Sequence, residues 1–141
     1  MSRPSTYTDE VFQQILEELR KGTFLAVICR GEGMPSDETV RNWLRAKPEL
    51  GNAYDQAKLI GEDAIALECL EIADDGSRDY KPNADGGVFA DHDHIQRSRL
   101  RIDTRFKLLK CFNPKRWGDK IEHAGNADQP VTVIIRKLTD A

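Results

Sequence analysis

Residues 31–47 read Gly31-Glu32-Gly33-Met34-Pro35-Ser36-Asp37-Glu38-Thr39-Val40-Arg41-Asn42-Trp43-Leu44-Arg45-Ala46-Lys47. Two glycines and a proline within residues 31–35 forbid helix continuation, so this segment is a turn. Ser36 then offers a capping oxygen, and Asp37 and Glu38 place negative charge where the helix dipole favours it. Val40, Trp43 and Leu44 recur at helical spacing as one buried stripe. Lys47-Pro48 closes the helix, because the residue before proline resists helical ψ.

Working back towards the N-terminus, Thr8–Lys21 carries Val11, Phe12, Ile15, Leu16 and Leu19 on one helical face. Thr8 or Asp9 can cap that helix, and Gly22 can end it with positive φ. Phe24–Arg30 fits a short second helix. Three short helices with a glycine-containing turn before the third match a helix-turn-helix. Residues 1–7, with Pro4 among small polar neighbours, read as extended or disordered.

Working forward, Pro48 suits the first turn of a fourth helix. Leu50, Tyr54, Ala57, Ile60, Ala64, Leu67 and Leu70 continue it to Ala73. That is a helix of roughly 26 residues, near 39 Å long. Asp74–Asp91 reads as a polar loop. A fifth helix runs from Asp93 to Phe112, with Ile95, Ile102, Phe106 and Leu109 as a heptad-like seam, and Asn113-Pro114 stops it. Residues 122–130 read as a linker. Val131–Ile135 is the one clear β-branched strand, and a lone strand needs partners from other copies of the chain.

The chain has 141 residues and a formal net charge of −3. It has no apolar run long enough for a membrane helix. Met1-Ser2-Arg3-Pro4-Ser5-Thr6 lacks the apolar core of a signal peptide, which points to the cytoplasm. Cys29, Cys69 and Cys111 form no CxxC pair, so a zinc ribbon or thioredoxin-type site is excluded and reduced cysteines are expected. Taken by itself, a net negative charge argues against a nucleic-acid binder. The charge is blocky, however: residues 51–75 carry −6 and residues 97–120 carry +7. Such blocks pair with each other within or between chains, build a local polyanion site, or form two solvated faces.

The third helix is the candidate reader of DNA. Ser36, Thr39, Arg41, Asn42, Arg45 and Lys47 are its polar positions. Arg can fork onto guanine and Asn onto adenine, while Ser, Thr and Lys hold phosphates. Val40, Trp43 and Leu44 are committed to seating the helix. The competing reading is a generic three-helix bundle with a solvated face, and the acidic Glu17, Glu18, Asp37 and Glu38 weigh towards it. No Walker A sequence follows Gly31-Glu32-Gly33, so ATP chemistry is not expected. Asp91-His92-Asp93-His94 lacks a third ligand at metal-site spacing, and Asp93 is more simply a helix cap or dipole partner. Asp74, Asp75 and Asp79 read as solvated turn residues rather than nuclease carboxylates. Trp117 reads as a packing residue at the end of the hairpin. No cofactor, metal or catalytic residue is expected.

The order of parts carries a resemblance. The helix-turn-helix contains Gly33-Met34-Pro35-Ser36 and Thr39-Val40-Arg41-Asn42-Trp43-Leu44. A long acidic helix follows, ending Glu71-Ile72-Ala73-Asp74-Asp75. Then come His94-Ile95-Gln96-Arg97-Ser98-Arg99-Leu100-Arg101-Ile102-Asp103-Thr104-Arg105 and Asn113-Pro114-Lys115-Arg116-Trp117-Gly118-Asp119-Lys120. Over about residues 7–121 this resembles the small terminase subunit of tailed bacteriophages, in the short-tailed, headful-packaging branch. Gln96–Lys120 is the most specific part.

The resemblance implies a mainly α, non-enzymatic factor for viral genome packaging in the host cytoplasm. It implies an N-terminal helix-turn-helix DNA-binding domain (1–47), a central antiparallel helical hairpin for ring oligomerisation (48–121), and a C-terminal linker, strand and tail (122–141). The strand would enter an intersubunit β-barrel. Such subunits bind the packaging-initiation site on viral double-stranded DNA and deliver it to the large terminase subunit, the ATPase and nuclease. They form homo-oligomeric rings, commonly of about eight to eleven copies. Arg97, Arg101, Arg105 and Lys107 are then expected to pair with Glu62, Glu68 and Glu71 of neighbouring copies, with Phe106 in the seam. In another reading the basic helix lines a channel or touches DNA. A dimeric helix-turn-helix transcriptional regulator is the alternative function; a nuclease is a weaker one.

Overall fold

The computed structural model describes residues 6–120 and residue 132. Its elements run α1 (Asp9–Arg20), α2 (Leu25–Ile28), α3 (Asp37–Ala46), α4 (Pro48–Asp74), β1 (Tyr80–Pro82), β2 (Val88–Ala90), α5 (His92–Phe112) and α6 (Pro114–Trp117). The fold is mainly helical, as expected. The strand expected at 131–135, and with it the intersubunit barrel, lies outside the described residues except for Thr132, which is exposed.

Side-chain caps start the N-terminal helices. Thr8 Oγ1 accepts from the Val11 amide at 3.3 Å, and Ser36 Oγ accepts from the Thr39 amide at 3.1 Å. Gly22 ends the first helical segment at φ 87°. There the Gly22 amide reaches Leu19 O and the Thr23 amide reaches Glu18 O, satisfying carbonyls that the helix leaves open. The second helix is shorter than Phe24–Arg30. Beyond Ile28 the chain tightens into i→i+3 bonds, from Arg30 N to Val27 O and from Gly31 N to Ile28 O.

Phe12, Ile15, Leu16 and Leu19 of α1, Leu25 and Ile28 of α2, and Val40 and Trp43 of α3 bury one core. Ala57 of α4 is fully buried in it, with Leu50, Ala53 and Tyr54 packed alongside. The long helix therefore belongs to both halves of the fold. Its first turns complete the helix-turn-helix core, and its later turns pack against α5. At 27 residues it is about 40 Å long. Pro48 stands at its first turn, and Lys47 has the non-helical φ −130°, ψ 86° that a following proline favours. Phe24 meets Phe112 edge-on, with centroids 5.7 Å apart, across the junction of the two halves.

Three details depart from the sequence expectations. First, Asp74–Asp91 is not simply a loop. It holds an antiparallel hairpin, with Tyr80 opposite Ala90, Lys81 opposite Phe89 and Pro82 opposite Val88. The turn is built by Asn83, whose Oδ1 accepts from the amides of Asp85 (3.1 Å) and Gly87 (2.7 Å), while Gly86 takes φ 80°. Second, the cap of α5 is Asp91, which leaves Asp93 the role of dipole partner. Asp91 Oδ1 accepts from the His94 amide at 3.3 Å, and Asp93 lies in the first turn. Third, the chain leaves Asn113 and restarts as the single turn α6, with Pro114 at its first position.

Candidate nucleic-acid interface and subunit contacts

The polar positions of α3 are tied together by hydrogen bonds and ion pairs. Ser36 and Thr39, both half-buried, share a hydroxyl hydrogen bond of 2.8 Å as part of the cap. Arg41, Asn42, Arg45 and Lys47 are exposed. Arg45 Nη1 donates to Asn42 Oδ1 at 2.6 Å and to Glu38 Oε1 at 3.0 Å. Arg41 Nη2 stands 4.0 Å from Asp37 Oδ2. This leaves two guanidinium groups and one amide side by side on an exposed helix surface, where they can address phosphates or base edges.

Lys47 is held from outside the helix. Its Nζ sits 3.9 Å over the centroid of the Tyr7 ring, which stacks edge-on against Trp43 at 5.4 Å. The Tyr7 hydroxyl donates to Asp9 Oδ1 at 2.6 Å. That bond to a carboxylate, with burial and the Asp9 charge adding to it, pushes the phenol up to about 12. Tyr7 was not among the residues singled out from sequence, and Asp9 only as a candidate helix cap, because nothing in the spacing links residue 7 to residue 47.

The helical hairpin pairs its charge blocks within the chain. Arg105 donates through Nε (2.9 Å) and Nη2 (2.8 Å) to the two oxygens of Glu68, a bidentate fork. Arg101 stands 3.7 Å from the same carboxylate. These contacts lie within one chain, because α4 and α5 pack side by side and bring Glu68 opposite Arg105. Glu71, Arg97 and Lys107 are exposed and make no ion pair with a described residue. Phe106 is 42% exposed, with Lys110 Nζ 5.6 Å over its ring.

Glu62 is engaged by residues that sequence reasoning did not pair with it. Asn113 Nδ2 and Trp117 Nε1 each donate to Glu62 Oε2 at 3.0 Å, and Arg116 lies 3.5 Å away. Arg116 also bonds Asp63 and the Leu59 carbonyl, the latter at 3.2 Å. Trp117 packs edge-on to Phe106 at 6.5 Å. The single turn α6 thus latches the end of the hairpin onto the middle of α4. The available signal was the cluster Asn113-Pro114-Lys115-Arg116-Trp117, in which a proline at a first helical position can restart a helix as well as stop one.

Residues 7–124 match the family model described as bacteriophage Sf6, terminase small subunit-like. The chain belongs to this terminase small subunit family. Family members act in the packaging of phage DNA. No curated protein matches this chain. Three solved structures similar to this chain are single-substitution variants of the terminase small subunit gp1 of the bacterial virus Sf6. One is 30% identical, with a TM-score of 0.62 over 97% of this chain and 98% of that one. A second is 30% identical, with a TM-score of 0.63 over 95% of this chain and 99% of that one. A third has the same identity, with a TM-score of 0.62 over 97% and 98% of the two chains. Among the described residues, no helix is long and apolar enough to cross a membrane.

Proposed function

We propose that this chain is the DNA-recognition component of a phage packaging machine. In this reading α3 binds the packaging-initiation site through Arg41, Asn42, Arg45 and Lys47, with Ser36 and Thr39 fixing the helix start. The bound DNA is delivered to, and its processing regulated through, the large terminase subunit, which supplies the ATPase and nuclease activities. The chain itself catalyses nothing and works in the host cytoplasm. The observation that carries the reading is an exposed cluster of guanidinium and amide groups on the last helix of a helix-turn-helix, in a chain of the packaging family.

Assembly is the second half of the proposal. Copies close into a ring of about eight to eleven subunits through the α4–α5 hairpin. Glu62, Glu68, Arg101 and Arg105 brace each hairpin internally. Glu71, Arg97 and Phe106 face neighbouring copies, together with the exposed apolar residues Leu67, Leu70 and Leu100. Leu67 and Leu70 lie one turn apart and share a face, and burying them between copies removes apolar surface from water. A ring also multiplies weak single-copy DNA contacts into a useful avidity. Light scattering on the full chain tests this assembly. A mass of eight or more subunits is the expected result, and a monomer or dimer contradicts the ring and favours the transcriptional-regulator reading.

A further inference from the structure

Every polar position proposed to face DNA already has a partner inside the chain. Ser36 and Thr39 hold each other, and Lys47 lies over Tyr7. Arg45 is shared between Glu38 and Asn42, and Arg41 stands by Asp37. The two carboxylates are part of this surface and not merely neighbours of it. Glu38 reaches two turns along α3 to Arg45, and Asp37 reaches one turn to Arg41.

We propose that Asp37 and Glu38 are specificity-determining residues that suppress sequence-independent DNA binding by competing with backbone phosphates for Arg41 and Arg45. The inference rests on the reading of α3 as the DNA face. Both ion pairs are solvent-exposed, with side-chain exposures of 66% and 63% for Arg45–Glu38 and 58% and 50% for Arg41–Asp37. Such pairs are weak and exchange readily. A phosphate that takes the guanidinium must displace the carboxylate or share the cation with it, and the carboxylate stays on the same helix and repels it. A guanine edge is neutral and offers O6 and N7 acceptors, so it meets much less of that repulsion. The carboxylates therefore penalise backbone contacts more than base contacts. Because the backbone term supplies essentially all non-specific binding, weakening it raises the ratio of specific to non-specific affinity. The amide side of Asn42 serves the same end: with its Oδ1 on Arg45, the two residues present donors to the groove as one unit.

The test is a binding titration of the full-length, assembled protein against two probes. One is a random-sequence duplex; the other is the phage-genome fragment that the unsubstituted protein retains most tightly. Glu38→Gln is expected to raise affinity for the random duplex by about fivefold at low salt. It should raise affinity for the genome fragment less, so the ratio between probes falls. Asp37→Asn is expected to act in the same direction and more weakly, since its pair is longer. Both keep a hydrogen-bonding side chain in an exposed first turn, and circular dichroism and light scattering check that fold and assembly are retained. Arg45→Ala separates the two ways of failing. If Arg45→Ala weakens binding while Glu38→Gln changes neither affinity, the competition is overturned and the DNA face stands. If Arg45→Ala leaves binding unchanged, the DNA face itself fails, and the competition with it.

Discussion

Gly61 of α4 lies directly against the carbonyl of Leu19 at the end of α1: a Cβ at position 61 would stand 2.1 Å from that oxygen. Gly22 faces the same contact, where an added Cβ would meet Ile65 Cγ1 at 2.8 Å, and its φ of 87° independently disfavours any other residue. Two glycines therefore let the helix-turn-helix seat on the long helix at backbone distance. Gly61→Ala gains helix propensity but forces α1 and α4 apart. It should destabilise the protein by about 1–3 kcal/mol, the usual cost of overpacking. Thermal unfolding of the variant reads this directly, and an unchanged or raised midpoint contradicts the contact.

The Glu68–Arg105 fork braces the hairpin, yet both side chains keep solvent access at 41% and 29%. Its coupling energy should accordingly be modest, about 0.5–1 kcal/mol in a double-mutant cycle of Glu68→Gln and Arg105→Ala. Arg105→Lys keeps the charge and loses the fork, so it should recover only part of that energy. A coupling of zero at low salt would remove the brace.

The cap of α5 is set to fail in acid. Asp91 is only 7% exposed, and its carboxylate lies 2.6 Å from Lys81 Nζ. The Lys81 hydrogen bond, helped by the His94 amide and the Lys81 charge, holds the acid below its ordinary value against the opposing effect of burial. A depressed carboxylate contributes stability above its unfolded pKa of about 4 and loses it as pH falls through the native value. The β1–β2 hairpin should therefore loosen from α5 below about pH 4, visible as faster amide exchange at Lys81 and Phe89. Asp91→Asn should loosen it at neutral pH and remove this acid step.

Tyr7 is set to respond at the other extreme. Its phenol titrates at about 12 because Asp9 accepts its hydrogen bond. The native state thus favours the neutral phenol. This stability is fully present below about pH 10, the unfolded value, and is lost as pH rises towards 12. Absorbance titration should place the Tyr7 step well above about 10, and Asp9→Asn should return it towards that value. A Tyr7 step near 10 in the unsubstituted protein contradicts the bond that holds this ring under Lys47.

The parts that could be read from sequence are those set by local chemistry. Ser36 and Thr8 cap as their side chains allow, Gly22 takes positive φ, and Pro48 stands at a first helical position. The β1–β2 hairpin escaped because Tyr80–Pro82 and Val88–Ala90 are too short for a periodic signal and one contains proline. Its trace was the turn Asn83-Ala84-Asp85-Gly86-Gly87, read as loop composition and not as turn chemistry. The block charges correctly suggested that an acidic and a basic helix meet. Composition carries no information on which chain supplies the partner, and the pairing of Glu68 with Arg105 follows from the packing of α4 on α5. The contact of Glu62 with Trp117, 55 residues away, likewise depends on where the latch α6 lands.

The central claim, that α3 carries DNA recognition, is tested most directly by the salt-titrated affinity of the Arg41→Ala/Asn42→Ala protein for phage-genome fragments, with assembly mass measured in parallel. Loss of two side chains that contact the duplex should weaken binding by about tenfold or more at unchanged mass. The dependence on salt should also become shallower, by about one unit of slope for each phosphate contact removed. Unchanged affinity at unchanged mass would contradict the claim and move the DNA site to the basic helix α5.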